Sequence, residues 1–104
     1  MTAAQFELVP AGPGRPVTVR AAGDIDLHNV DEFAGVLDQA AAVSATVTAD
    51  LTAVTYCDSA TIRALFRAAR RVHLTIQVSA GGPVTDTLLK VSGLDQITTV
   101  VTLG

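Results

Sequence analysis

The chain has 104 residues, of which 49% are hydrophobic and 16% charged, and a formal net charge of −3 at pH 7. This length predicts one domain with its own core, and the acidic balance disfavours nucleic acid as a partner. The single cysteine excludes an internal disulfide and a cysteine-cluster metal site. No apolar run approaches the roughly 20 residues of a membrane span, and the N-terminus lacks a signal-peptide layout, so we expect a cytoplasmic protein without membrane insertion.

The N-terminal segment has the pattern of a β-hairpin. Phe6 and Leu8 alternate with polar residues and predict a short strand, after which residues 10–16 form a loop rich in proline and glycine. Alternation over residues 17–21 predicts a second strand, and Gly23 to His28 is expected to lead from it as a loop. Two strands joined by a short loop pair most simply in the antiparallel sense.

The next segment is typical of an amphipathic helix. Asn29 is expected to be its N-cap, with Glu32 three residues later completing a capping box. Apolar residues follow at spacings of three and four and predict a helix from about Val30 to Val43. These apolar residues are Val30, Phe33, Ala34, Leu37 and Ala41.

The second half of the chain alternates strands and helices. A strand over residues 47–51 and a loop at Thr52–Asp58 precede a second helix, whose apolar spacing extends to Val72. A fourth strand over residues 74–78 is followed by a third helix that starts near Pro83. Gly93 suits the left-handed position that ends a helix, and the β-branched run Ile97–Val101 predicts the last strand.

The order of these elements predicts an α/β fold. Strands joined through helices pair in parallel by right-handed crossovers, so we expect a mixed, mostly parallel sheet of about five strands. The N-terminal hairpin would supply an antiparallel edge, and three main helices would cover the sheet. If the second and third strands are parallel neighbours, Asp26 and the pair Asp58-Ser59 lie side by side where those strands end.

Four segments together resemble a known family. They are Gly23–Asp26 before the first helix, Leu51–Tyr56 as a strand and loop, Asp58–Ser59 opening the second helix, and Val91–Leu94 ending the third. In this order and spacing they resemble the STAS domain of bacterial anti-sigma factor antagonists, over nearly the whole chain. The resemblance implies a STAS-like single domain over residues 1–104.

The resemblance also implies a function and a set of site residues. In such proteins the serine after the aspartate is phosphorylated by a partner kinase that is also an anti-sigma factor. The unphosphorylated antagonist binds that kinase and frees the sigma factor, and a phosphatase would reverse the modification. Ser59 matches the phosphoacceptor, and Asp26 matches an aspartate used in partner binding. The residues expected to contact the partner are Asp26, His28, Asp58, Ser59, Ala60, Thr61 and Arg63.

Two features depart from the family pattern. The family usually continues Asp-Ser with Ser or Thr and then Gly, whereas this chain has Ala60 and Thr61. Glycine lets a partner's backbone approach closely, so we expect the β-branched Thr61 to crowd that surface. Thr61 is also a second, weaker candidate phosphoacceptor. The C-terminal helix that many relatives carry is expected to be missing or vestigial.

The site residues also have purely structural explanations. Asp58 as an N-cap and Ser59 in the first turn would stabilise a helix without any phosphate, and Asp26 could be an ordinary loop carboxylate. Cys57 is expected to be a small buried apolar side chain, with a lowered thiol pKa before the helix as the alternative. The two histidines are isolated, so we expect no metal site. A stripe of arginines is either a solvated face or a contact for an acidic partner: Arg63, Arg67 and Arg70.

Three functions follow as hypotheses. The first is a phosphorylatable antagonist of an anti-sigma kinase, which rests on Asp26, Asp58 and Ser59. The second is a non-phosphorylated STAS scaffold or partner subunit of a transporter or signalling complex, motivated by Ala60 and Thr61. The third is a small enzyme or ligand-binding domain, which would need a concave pocket. Because the chain has no supported nucleophile and base set and no phosphate loop, we expect no catalysis and no cofactor.

Overall fold

The computed structural model describes residues 4–82 and 93–103. The strands are β1 (Gln5–Val9), β2 (Val17–Ile25), β3 (Thr46–Cys57), β4 (His73–Ser79) and β5 (Thr99–Leu103). The helices of this described part are α1 (Val30–Val43) and α2 (Ser59–Ala69), with a short 3-10 helix at Leu94–Gln96. The third helix predicted after Pro83 lies outside the described residues.

The five strands form one mixed sheet in the order β1-β2-β3-β4-β5. β1 and β2 are antiparallel, and each of the other neighbouring pairs is parallel. Both predictions, the N-terminal hairpin and the mostly parallel sheet, are confirmed. The reason is that α1 and α2 each carry the chain back along the sheet, so consecutive strands point the same way.

The core lies between one face of the sheet and the two helices. Val19, Ala49 and Ile76 are neighbours in register across three strands, and each is fully buried. Phe33 of α1 and Leu65 of α2 pack onto this side and are also fully buried. Burial of a side chain of this kind stabilises the fold by about 1.5–3 kcal/mol. This packing holds α1 and α2 against the sheet.

The second and third strands are longer than the sequence predicted. β2 continues to Ile25 and β3 to Cys57, so the loops expected at Gly23–His28 and Thr52–Asp58 are largely strand. The pairing of β2 with β3 shifts register twice, and each shift gives β3 one extra residue, as a β-bulge does. Simple alternation fails at such positions, and this is why the sequence pattern ended these strands early.

The bulges change which residues of β3 face the core. Leu51, Val54 and Cys57 are all buried although they lie three residues apart instead of two. Gly23 lies at the second register shift and has a φ of 85°, a conformation that glycine adopts without a steric penalty. The bulges therefore keep β3 in the sheet up to the start of α2.

The last strand begins later than predicted. β5 starts at Thr99, and Ile97 follows the 3-10 helix with 53% of its surface exposed. Gly93 has the predicted left-handed conformation, with a φ of 78°. Leu94 beside it is fully buried, so its packing holds the segment that leads into β5 against the core.

Candidate functional site

The carboxyl ends of β2 and β3 form one rim, which comprises residues 24–29 and 56–59. Ile25 and Cys57, the last residues of the two strands, are register partners. Asp26 and Asp58 follow directly on each strand, so the two aspartates are adjacent on the rim, as the sequence predicted. Ser59 comes next as the first residue of α2.

Asp58 is the N-cap of α2, as predicted. Its side-chain Oδ1 accepts a hydrogen bond from the backbone N–H of Ala60 at 3.0 Å, and its backbone carbonyl accepts one from the N–H of Thr61 at 3.1 Å. Such caps satisfy amide groups that the first helical turn leaves unpaired. Ser59 is exposed, and its hydroxyl has no hydrogen bond to any described residue. The hydroxyl is thus accessible at the positive end of the helix dipole.

Asp26 occupies the tight connection between β2 and α1. Its carboxylate accepts a hydrogen bond from the backbone N–H of His28 at 2.9 Å, and His28 Nδ1 lies 3.7 Å from the same oxygen. The side chain of Asp26 remains 41% exposed, and that of His28 is 92% exposed. Both groups are therefore accessible to a partner that covers the rim.

Asn29 does not cap α1 in the predicted way. It stands at the N-cap position, but its side chain makes no capping bond, so the predicted capping box with Glu32 is wrong. Instead Nδ2 donates to the backbone carbonyl of Asp24 at 2.9 Å, and Oδ1 accepts from the backbone N–H of Asp26 at 3.0 Å. A short connection offers few hydrogen-bond partners to its own backbone N–H and C=O groups. The side chain of Asn29 supplies two such partners. In the sequence, the feature that indicates these hydrogen bonds is the group of Asp and Asn residues at positions 24, 26 and 29.

Ala60 and Thr61 face the core. Ala60 is 8% exposed and Thr61 is fully buried, so the expectation that Thr61 crowds the partner surface is wrong. Of these two predicted partner contacts, Thr61 offers no surface, and Ala60 offers only the small part that lines a groove between α1 and α2. The Thr61 hydroxyl is also inaccessible to a kinase in this fold, and Oγ1 has no hydrogen-bond partner among the described residues.

The rim carries two large exposed side chains that the sequence pattern did not predict as partner contacts. Leu27 is 70% exposed and Tyr56 is 52% exposed. Tyr56 pairs in register with Asp24, whose carboxylate accepts a hydrogen bond from Thr55. Exposed aromatic residues beside charged groups are common energetic centres of protein interfaces. In the sequence, the feature that indicates such exposed residues is a large apolar side chain in a loop or at the end of a strand.

Cys57 is a buried residue of the rim. It is 6% exposed, and burial together with the negative charge of Asp58 raises the pKa of its thiol to about 11. The prediction of a small buried apolar side chain is confirmed, and the alternative of a lowered pKa is wrong. Within residues 4–82 and 93–103 no group of three metal-ligating side chains occurs, and no helix is long and apolar enough to cross a membrane.

Comparison with protein families settles the class of the domain. The family model described as "Mlab, STAS domain" matches residues 9–102. The chain belongs to the STAS domain family. Comparison with curated protein sequences gave no significant match.

Solved structures share the fold of this STAS domain. An anti-sigma factor antagonist from Mycobacterium paratuberculosis superposes with a TM-score of 0.82 at 15% identity, covering 95% of this chain and 86% of that one. The antagonist SpoIIAA in its unphosphorylated form gives a TM-score of 0.68 at 17% identity, covering 96% and 88%. An uncharacterised Shewanella loihica protein with a SpoIIAA-like fold gives 0.64 at 8% identity, covering 99% and 87%. At these identities the likeness establishes the fold.

Proposed function

We propose that this STAS domain is an anti-sigma factor antagonist whose partner is an anti-sigma factor with serine kinase activity. The unphosphorylated domain binds the kinase in the cytoplasm and so frees a sigma factor; phosphorylation of Ser59 releases the domain, and a phosphatase resets it. The domain itself catalyses nothing. The observation that supports this proposal is the exposed Ser59 hydroxyl, unbonded within the described residues and beside Asp26 and Asp58.

The charge balance of the rim explains how one phosphate could control binding. A phosphoserine adds about −1.5 to −2 charges at pH 7, and the α2 N-terminus offsets only about 0.3–1 kcal/mol of this at an exposed site. Two like unit charges about 6 Å apart repel by roughly 3 kcal/mol at an effective dielectric near 20. Asp26 and Asp58 both lie on this rim. A negative group of a docked partner at the same distance from the phosphate would meet repulsion of this size, which corresponds to about a hundredfold loss of affinity.

Phosphorylation of the purified domain tests this proposal. Each kinase-type anti-sigma factor of the source genome is incubated with the domain and ATP, and the modified residue is mapped by mass spectrometry. We expect one phosphate, on Ser59, and none on Ser59→Ala. Thr61→Val is the matched control, because it removes the neighbouring hydroxyl and should be phosphorylated like the native protein. No modification by any of these kinases, or modification at another residue, would count against the proposal.

A second candidate function is a non-phosphorylated partner subunit of a transporter or signalling complex. One observation favours it: Ala60 and Thr61 stand where the family resemblance implies the Ser/Thr-Gly that follows the phosphoacceptor in antagonists. Affinity purification of the tagged domain from its own cells distinguishes the two. Recovery of transporter components without a kinase supports the second function, and recovery of an anti-sigma factor alone rules it out.

A further inference from the structure

A groove of about 280 Å³ runs between α1 and α2 and opens next to the rim. Leu27 and Ala34 line it from the side of α1, and Ala64 lines it from α2. Leu27 is 70% exposed, although it is a large apolar residue, and the two small alanine side chains leave space between the helices. An apolar side chain of a partner would fit here and cover Leu27, which is worth about 25 cal/mol for each Å² removed from water.

The two walls of the groove carry opposite charges. Arg63 and Arg67 lie one turn apart on α2, and Asp31 lies on the α1 wall. Both arginines are exposed, and neither forms an ion pair with a described residue, whereas Arg71 binds Asp38 at 2.7 Å. The arginine wall is therefore a cationic surface whose charge is not balanced within the described part of the molecule.

We propose that this groove binds an acidic amphipathic helix of the partner protein. An apolar residue of that helix covers Leu27, and carboxylates one turn apart bind Arg63 and Arg67, since residues at this spacing are neighbours on a helix face. Bidentate arginine–carboxylate pairs add geometric specificity to such a contact. Asp31 on the opposite wall sets the orientation, because it repels the carboxylate side of the helix.

The position of Arg63 also connects the groove with the phosphorylation site, and this part of the inference rests on the proposed function. Ser59 and Arg63 are four residues apart on α2, so their side chains lie on the same face. A phosphate on Ser59 binds the Arg63 guanidinium, which is then withdrawn from the partner's carboxylate. Phosphorylation thus weakens the groove contact through competition for one arginine, in addition to repulsion between the phosphate and the carboxylates of the bound helix.

A peptide titration followed by NMR tests the groove without any identified partner. The probe is a designed helical peptide of about 16 residues, long enough to form a helix, with leucines on one face and glutamates one turn apart beside them. Matched peptides carry lysine for glutamate or serine for leucine. We expect saturable shifts of the amides of Leu27, Ala34 and Ala64 with the acidic peptide, and no saturable binding of either matched peptide.

Substitutions in the protein assign the contact to the arginine wall. Arg63→Gln combined with Arg67→Gln should weaken binding of the acidic peptide at least fivefold, whereas Arg70→Gln, at the C-cap of α2 and outside the groove, should leave the affinity unchanged. Asp31→Asn should not weaken it. Saturation at another surface, equal binding of the lysine peptide, no saturable binding, or an equal loss with Arg70→Gln would overturn the inference.

A phosphoserine incorporated at position 59 during translation tests the competition. The acidic peptide should bind the phosphorylated protein at least tenfold more weakly, and Arg63→Gln should remove most of this difference, as a double-mutant cycle detects. An undiminished difference in Arg63→Gln contradicts the competition. If the peptide occupies the groove but no kinase modifies Ser59, the proposed function fails and the groove stands. If Ser59 is phosphorylated but the peptide does not bind, the groove inference fails and the function stands.

Discussion

Removal of the buried Thr61 hydroxyl should stabilise the protein. Thr61 is fully buried, and its Oγ1 has no hydrogen-bond partner among the described residues. A buried polar group without a partner costs about 1–3 kcal/mol. Thr61→Val replaces the hydroxyl by a methyl of similar shape, and the two residues have nearly equal helix propensities. We therefore predict that the free energy of unfolding rises by about 1–3 kcal/mol.

Urea denaturation of native protein and Thr61→Val measures this effect. The midpoint should rise at an unchanged m-value, and the melting temperature should increase by about 4–8 °C for each kcal/mol in a domain of about 100 residues. Thr61→Ser is the matched control, since it keeps the unpaired hydroxyl, loses a buried methyl and should destabilise by roughly 1 kcal/mol. A Thr61→Val protein no more stable than the native one would refute the account of this residue.

Three further predictions concern the residues around the rim. Asp58→Ala removes the hydrogen bond to Ala60 and should lower the free energy of unfolding by about 0.5–2 kcal/mol in urea melts, whereas Asp58→Asn, which keeps an N-cap acceptor, should lose less. Asn29→Ala leaves two backbone groups of the β2–α1 connection unpaired and should cost about 1–3 kcal/mol, together with faster amide exchange at Asp26. The thiol of Cys57 has its pKa raised from 9.0 to about 11, so between these values the unfolded chain binds fewer protons than the folded one, and stability should fall as pH rises through this window. The loss is of order 1–3 kcal/mol, and its persistence in Cys57→Ala would contradict this assignment.

Helix α1 could be predicted from the sequence to both ends, because its apolar residues keep one helical period against a single packing surface. The strand ends could not be predicted in this way. The bulges in β3 place Leu51, Val54 and Cys57 in the core at a spacing of three, which breaks the alternation by which a strand is identified. Register depends on the neighbouring strand, and so a local pattern does not contain it.

The candidate site also combines features that could be predicted from the sequence with features that could not. That Asp26 and Asp58 meet on one rim follows from parallel pairing of neighbouring strands, which the order of the elements implies. The direction of Thr61 does not follow, since a polar residue early in a helix is expected to face solvent, and only the packing of α2 on the sheet turns it inward. The exposure of Leu27 likewise depends on how far apart α1 and α2 lie.

The affinity of the partner kinase for two forms of the domain shows whether Ser59 controls release. The unmodified protein and the protein with phosphoserine incorporated at position 59 are titrated against the anti-sigma kinase by isothermal calorimetry at one ionic strength. We predict tight binding of the unmodified form and a Kd about a hundredfold higher for the phosphorylated form, as about 3 kcal/mol requires. Equal affinity of the two forms would contradict the claim that Ser59 controls release.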